Sequence, residues 1–192
     1  MPKVMAPSVM PRLIWAMAVT WSFVWGATSC ASLPAPAETW PLAPAVAFDP
    51  HRELTQSVLI ERDKEQLRLV GRLQLDDRGL VMVAFTPLGQ RLFTIEYTPQ
   101  GLVLDRSVAL PETVDLMQVL GDLQLVYWPI ADLEDAFGPD WVIQESDGGR
   151  RLLHRGRLVG EVRHIGPRRI EIHALARRYV IRIETLTAGE GN

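Results

Sequence analysis

One stretch of helical character, Leu110 to Phe137, lies between two series of segments that alternate apolar and polar residues. Apolar side chains recur in this stretch every three to four residues, which predicts an apolar stripe along one helix face. The stripe consists of Leu116, Leu120, Leu123 and Tyr127, with Val119 and Val126 beside it. A sheet that takes strands from both sides of the stretch can bury this stripe only by curving around it.

Two prolines and a glycine divide the helical stretch. Pro111 is compatible with a first helical turn, and Gly121 permits a break. Pro129 predicts the start of a second, short helix that ends at Phe137. The stretch is therefore predicted to form a helical hairpin.

The segments on either side predict strands. They alternate in hydrophobicity and are separated by turn-forming residues; they span 67–75, 80–85, 93–97, 102–104, 141–145, 151–154, 158–165, 169–175 and 178–186. Segment 80–85 is apolar at every second position on both faces, so it is predicted to touch hydrophobic material on both sides. The predicted fold is mainly antiparallel β with a helical insertion.

The first 30 residues resemble a bacterial lipoprotein signal. Lys3 and Arg12 precede an uncharged run, Leu13 to Trp25, that is shorter than the roughly 20 residues needed to span a bilayer. Ala27-Thr-Ser-Cys30 then resembles a lipobox, in which the cysteine is acylated. An ordinary cleaved signal and a retained N-terminal anchor are the alternatives. The residues after the cysteine, Ala31 and Ser32, match the sorting pattern of lipoproteins sent to the outer membrane.

Four regions are predicted from this pattern. They are a signal peptide at 1–29, a lipidated Cys30 with a Pro/Ala-rich tether to residue 50, a folded domain at 51–188, and a disordered tail at 189–192. Removal of the signal takes away two of 20 basic residues and none of 23 acidic ones, which gives 18 − 23 = −5. A net negative domain repels the negatively charged backbone of nucleic acid, so no nucleic-acid partner is predicted.

The order of motifs resembles the outer-membrane lipoprotein receptor LolB. The resemblance lies in Thr86-Pro-Leu-Gly89, the hairpin through Pro99-Gln-Gly101, and a helical pair that ends in Tyr127-Trp-Pro-Ile130. The sequence resembles more closely an uncharacterised family of LolB-like proteobacterial lipoproteins, domain of unknown function 3261. That second resemblance rests on Leu88-Gly-Gln-Arg91, Asp122-Leu-Gln-Leu125 and Arg157-Leu-Val-Gly-Glu161.

The resemblance implies a half-open antiparallel barrel wrapped around a short helical hairpin, with acyl chains bound on the concave face. The predicted cavity residues are Val81, Val83, Phe85, Phe93, Ile95, Leu116, Leu120, Leu123, Tyr127 and Trp128. For Val81, Val83 and Phe85, which lie in segment 80–85, a plain core position is the favoured alternative. Trp128 either lines the cavity mouth or anchors the bend before Pro129, and the second interpretation is preferred.

Leu88 corresponds, by this resemblance, to a loop leucine that presses into the membrane. It lies between two predicted strands, where an exposed apolar side chain brings no benefit to folding. Leu88 therefore either contacts the membrane or folds back to cap the barrel.

Motifs of known enzymes are absent from the sequence. It contains no Gly-x-Ser-x-Gly elbow, phosphate-binding glycine loop or His-Glu-x-x-His, so we predict no catalytic residue, metal or cofactor. His154, His164 and His173 lie on separate predicted strands, where histidines are more often ordinary hydrogen-bonded residues than ligands.

The sequence thus predicts an outer-membrane-anchored lipoprotein on the periplasmic side that binds acyl chains or a lipidic cargo. Its predicted partners are membrane lipid through the acyl anchor, the acyl or lipoprotein cargo, and a LolA-like periplasmic chaperone. A non-catalytic module that docks a membrane-associated complex is the alternative, and a hydrolase is a weaker one. An open apolar cavity would favour the carrier, and a closed core would favour the docking module.

Overall fold

The computed structural model describes residues 39–107, 110–111, 114–146 and 148–190. The predicted signal peptide and Cys30 lie outside these residues.

Within the described residues, ten strands form one antiparallel sheet. Five of them precede the helices: β1 (Arg52–Arg62), β2 (Glu65–Asp76), β3 (Gly79–Phe85), β4 (Arg91–Thr98) and β5 (Gly101–Arg106). Five follow: β6 (Trp141–Ser146), β7 (Gly149–His154), β8 (Arg157–Gly166), β9 (Arg169–Ala174) and β10 (Tyr179–Glu190). The helices between them are α1 (Leu116–Tyr127) and α2 (Ile130–Phe137). The predicted β fold with a helical insertion is confirmed.

The strand order explains how the helices are placed. The sheet runs β5-β4-β3-β2-β1-β10-β9-β8-β7-β6, so the first and last strands of the domain pair at its centre. The two strands that flank the helical pair in sequence, β5 and β6, form the two edges of the sheet. The helices therefore connect one edge to the other.

One face of the sheet, called the inner face here, packs against the helices. Cross-strand partners such as Leu73, Met82 and Ile95 are buried in the same apolar cluster as Leu120 and Leu123 of α1. This arrangement follows from the period-2 alternation of the strands and the three-to-four spacing of the helix. The predicted stripe on α1 is buried, with Val119 and Tyr127 half-buried at its margins.

The start of α1 differs from the prediction. The helix begins at Leu116, because the side chain of Asp115 caps it by accepting a hydrogen bond from the amide of Met117 at 2.9 Å. Pro111 lies before the helix, in a turn closed by its carbonyl and the amide of Val114. Gly121 causes no break. The indole Nε1 of Trp40 would lie 2.8 Å from a Cβ at that position, so the glycine permits close packing.

The second half of the predicted tether is packed. The segment 39–50 has no regular secondary structure, as predicted, but Trp40, Ala43 and Phe48 are buried against the helices. Gln124 forms two hydrogen bonds with the backbone of Ala43, at 3.0 and 2.7 Å. The prediction that this segment is unpacked is wrong, since its apolar and backbone groups pack against both α1 and the sheet, with Trp40 close to Gly121 and to Gly160 of β8.

The predicted disordered tail also needs correction at residues 189–190; residues 191–192 lie outside the described part of the chain. Strand β10 extends to Glu190, and Gly189 pairs with Glu53 of β1. Backbone pairing with β1 holds these residues in the sheet, although their small or polar side chains are typical of a disordered tail.

Candidate functional site

An open groove of about 500 Å³ lies between the first half of α1 and the ends of β1, β2 and β10. Its walls are mostly apolar and consist of Ile60, Leu67, Pro111, Val114, Val119 and Ile181. Polar residues complete it: Arg62, Glu65, Gln66, Asp115, Gln118, Asp122 and Tyr179. The groove is thus a long apolar surface with polar groups at its exposed and buried ends.

The register of the sheet and the period of the helix form this groove. Ile60 pairs with Leu67 on one side and with Ile181 on the other, which places three apolar inner-face side chains next to one another. Val119 lies four residues after the exposed Asp115 at the start of α1, and the buried Asp122 lies seven residues after Asp115. Residues at this spacing share one helix face. The groove therefore runs along α1 from exposed to buried positions.

A buried polar cluster lies at the inner end of the groove. The hydroxyl of Tyr179 donates a hydrogen bond to Oδ2 of Asp122 at 2.5 Å and accepts one from Nη1 of Arg177 at 3.0 Å. The guanidinium of Arg177 lies over the ring of Trp40, with its Cζ 3.5 Å from the ring centroid. The cluster joins the groove, through Asp122, to the packed N-terminal segment.

Burial controls the ionisation of the cluster. Loss of solvent raises the pKa of the Asp122 carboxyl to about 7, although the charge of Arg177 and the hydrogen bond from Tyr179 oppose this rise. Burial and the neighbouring Asp122 also raise the pKa of Tyr179. The Tyr179 hydroxyl therefore stays protonated and keeps its role as a donor.

The cluster is incompletely satisfied. In the described part of the chain, Oδ1 of Asp122 is buried and accepts no hydrogen bond; Nη2 of Arg177 approaches it only to 3.9 Å. Nε of Arg177 and Nε1 of Trp40 are also buried without a hydrogen-bond partner there. Buried polar atoms usually have partners, so several such atoms together are unusual.

Leu88 lies at the tip of the β3–β4 hairpin and is 97 % exposed. The turn is closed by hydrogen bonds between Thr86 and Gly89 and between Thr86 and Gln90, with Gly89 at a φ of 84°. Leu88 does not fold back onto the barrel, so the capping alternative is excluded. Phe85 pairs with Val70, which places this hairpin at the same end of the sheet as the groove.

The residues that we predicted to line the cavity lie elsewhere. Six of them are fully buried in the core: Phe93, Ile95, Leu116, Leu120, Leu123 and Trp128. Tyr127 is half-buried and accepts a hydrogen bond from Gln56 at 2.9 Å. The other three, Val81, Val83 and Phe85, are half-buried on the outer face of β3, where they line a second open cavity of about 470 Å³ together with Arg72 and Gln74.

The reason is the parity of β3. Leu80, Met82 and Ala84 point to the inner face, so their neighbours at odd positions point away from the helices. The groove residues were missed because they come from the ends of three strands that are distant in sequence. The alternation of Ile60 and Leu67 with charged neighbours was the available signal, but it does not show which strand ends meet.

Trp128 anchors the bend between the helices, as preferred from the sequence. Its Nε1 donates to the carbonyl of Pro44 at 2.8 Å, and its ring contacts Phe48 edge-on and stacks on Tyr97. Arg150 donates hydrogen bonds to the carbonyls of Leu125 and Trp128. These bonds supply partners for carbonyl groups at the C-terminal end of α1 that have none within the helix.

Neither a metal cluster nor a membrane-spanning helix is found among the residues with a described position. His154, His164 and His173 lie on β7, β8 and β9, and no group of three or more potential ligands is close enough to hold an ion. No described helix is long and apolar enough to cross a bilayer.

Comparison with known proteins gives one family match. Residues 53–187, more than half of the chain, match the model of a family described as a protein of unknown function (DUF3261). A crystal structure described as an outer membrane lipoprotein-sorting protein domain from Vibrio parahaemolyticus is also similar. The two share 10 % identity over 74 % of this chain and 86 % of that chain, with a TM-score of 0.40. No curated protein matches.

Proposed function

We propose that this chain, which belongs to the DUF3261 family of proteins of unknown function, binds an acyl chain or a similar lipidic molecule non-covalently in the groove along α1. The observation that carries the proposal is an open groove of about 500 Å³ with apolar walls from two layers of the fold. Ligand pockets commonly have volumes of roughly 300 to 1,000 Å³ and mostly apolar linings.

The energetics suit a carrier. Burying about ten methylene groups contributes on the order of 8 kcal/mol before costs, at roughly 0.8 kcal/mol for each group. Lost freedom of ligand and protein removes a large part of this gain. The remaining affinity is modest, so the ligand can be released again, and no catalytic step is involved.

The anchor that we propose at Cys30 would hold the groove near a membrane. Thr39 and Trp40 lie beside the first half of α1, next to Arg177 in the turn between β9 and β10. Only 39 − 30 = 9 residues separate Cys30 from Thr39, which reach at most ~30 Å. A lipid on Cys30 would therefore keep this end of the sheet close to the periplasmic surface of the outer membrane.

Leu88 supports this orientation. Its hairpin lies at the same end of the sheet as the groove, and Met117 and Leu175 are further exposed apolar residues at this end. Burying one leucine in lipid contributes about 1.5 to 3 kcal/mol, which is a weak contact unless an anchor supports it. We propose that the groove receives its cargo, a lipid or a lipoprotein, at the membrane surface, with a LolA-like chaperone as one source.

Native mass spectrometry with lipid extraction tests the proposal. The Cys30→Ser chain, which lacks the acyl anchor, should carry acyl species when it is purified from the periplasm. Ile60→Glu should empty it, because a charge in the groove wall opposes apolar binding. The matched control is Leu59→Glu, which changes the adjacent half-buried residue on the opposite face of β1.

A Cys30→Ser chain that is empty and also fails to take up an apolar probe would refute the binding proposal. In that case the module that docks a membrane-associated complex would be the better account.

A further inference from the structure

We infer that the groove selects amphiphiles whose polar group donates a hydrogen bond, and that Asp122 is the residue that selects them. This inference rests on the proposed function, because it assigns a ligand class to the same groove. The class comprises single-chain lipidic molecules with a hydroxyl, an amine or an amide N–H, as opposed to those with only a carboxylate or an ether.

The first argument is the unpaired oxygen of Asp122. This residue lines the groove, its side chain is 4 % exposed, and in the described structure its Oδ1 accepts no hydrogen bond. An unsatisfied buried acceptor is costly, and the cost is recovered when a donor reaches it. A ligand in the groove is the molecule that can bring such a donor.

The second argument is the position of Asp122 along the groove. It lies seven residues after the exposed Asp115, or about 10 Å farther along α1 at 1.5 Å per residue. Apolar walls, with Val119 on α1 and Ile60 on β1, lie between the two. A ligand that reaches Asp122 therefore needs an apolar body as well as a donor.

The third argument is charge. The guanidinium of Arg177 is 2 % exposed, lies over Trp40, and borders a separate depression with Thr39 and Leu42. It therefore lines that depression rather than the groove. An anionic group at the inner end would face Asp122; Arg62 also borders this end, with its Cζ 5.3 Å from the centroid of the Tyr179 ring, and is paired across the strands with Glu65.

Three decyl compounds of equal chain length test the inference. Each is used to displace the neutral fluorescent probe N-phenyl-1-naphthylamine from the full-length Cys30→Ser chain. The displacement is measured at pH 8, above the Asp122 pKa of about 7, so that the carboxyl is ionised and can only accept. We expect 1-decanol to act at a concentration roughly tenfold lower than decyl methyl ether or decanoate, because one hydrogen bond to a charged group is worth at least that ratio.

Two variants locate the effect. Asp122→Leu should abolish the preference for the alcohol and keep binding of the ether. The control is Asp135→Leu, which makes the same change at an exposed acid of α2 outside the groove and should keep the preference. If Asp122→Leu does not fold, the ratio measured on the unaltered groove decides the question.

The outcomes separate the two proposals. Equal potency of alcohol and ether, or tighter binding of decanoate, would overturn the assignment to Asp122 and leave the groove as an acyl site. Retention of the preference in Asp122→Leu would also overturn it. If neither the probe nor any decyl compound binds, the proposed function itself fails.

Discussion

Two parts of α1, called its first and second halves here, differ in how completely their polar groups are satisfied: the first runs from Leu116 to Asp122, and the second from Leu123 to the C-cap Trp128. In the second half, Gln124 binds the backbone of Ala43 twice, and Trp128 donates to Pro44. In the first half, Asp122 keeps an unpaired oxygen next to an open apolar groove. The comparison teaches that one helix can serve two purposes: its second half holds the fold together, and its first half, in the function proposed above, leaves room and an acceptor for a ligand.

The largest expected effect is on the packed half. Trp128→Ala removes a fully buried ring, its contacts with Phe48 and Tyr97, and a hydrogen bond. We expect the free energy of unfolding to fall by about 3 to 5 kcal/mol, as for other large aromatic truncations in cores. Urea denaturation followed by circular dichroism measures this change. A loss smaller than that caused by Val103→Ala, at an exposed position of β5, would contradict the account.

The next effect concerns pH and the first half of α1. The pKa of the Asp122 carboxyl is about 7 in the folded state, well above its ordinary value of 3.8. Between pH 3.8 and pH 7, the folded chain therefore keeps a proton on Asp122 that the unfolded chain has lost. The contribution of Asp122 to stability is therefore greatest below about pH 4 and falls as pH rises towards 7, by an amount on the order of 4 kcal/mol.

Asp122→Asn tests this pH dependence, because an amide has a similar shape and does not titrate. The contribution of Asp122 is the difference between the slopes of stability against pH for the two proteins. Identical slopes from pH 4 to 7 would show that Asp122 is already ionised at the lower pH.

A smaller effect is expected for Gln124→Ala. It leaves the buried amide of Ala43 without its acceptor, while the carbonyl of Ala43 keeps the hydrogen bond from Tyr97 at 2.9 Å. The expected loss is about 1 to 3 kcal/mol of unfolding free energy. Amide hydrogen exchange at Ala43 should accelerate. Unchanged protection there would mean that the segment 39–50 is held mainly by Trp40 and Phe48.

The smallest effect on stability is expected for Leu88→Asp. The side chain is 97 % exposed, so the free energy of unfolding should change by less than about 0.5 kcal/mol. Binding of the Cys30→Ser chain to phospholipid vesicles should nevertheless weaken in a flotation assay. Leu186→Asp serves as the control, because this exposed residue lies on β10 beyond its pairing with Val58, away from the hairpin. Equal flotation of the two variants would argue against a membrane contact at Leu88.

The sequence predicted the positions of strands and helices better than it predicted which face of each strand points to the core. Period-2 alternation located β2, β4 and β10, and the helical stripe identified the buried side of α1. Segment 80–85 is apolar on both parities, so alternation could not show that Val81 and Val83 point outwards.

The groove and its cluster depended on long-range pairing. Asp122 and Tyr179 are 57 residues apart, and no local pattern shows that their side chains meet. Trp40 lay in a proline-rich segment whose composition indicated a tether, yet packing against Gly121 holds it in the core. Local propensity does not report such contacts, because tertiary packing overrides it.

The most direct test of the central claim is to map where a bound chain lies. A decyl alcohol with a photoreactive diazirine on its alkyl chain is bound to the Cys30→Ser protein, irradiated, and located by mass spectrometry of peptides. The account predicts labelling of the groove walls at Ile60, Leu67 and Val119, competed by unmodified 1-decanol. Labelling confined to Val81, Val83 and Phe85 on the outer face, or labelling that 1-decanol does not compete, would contradict it.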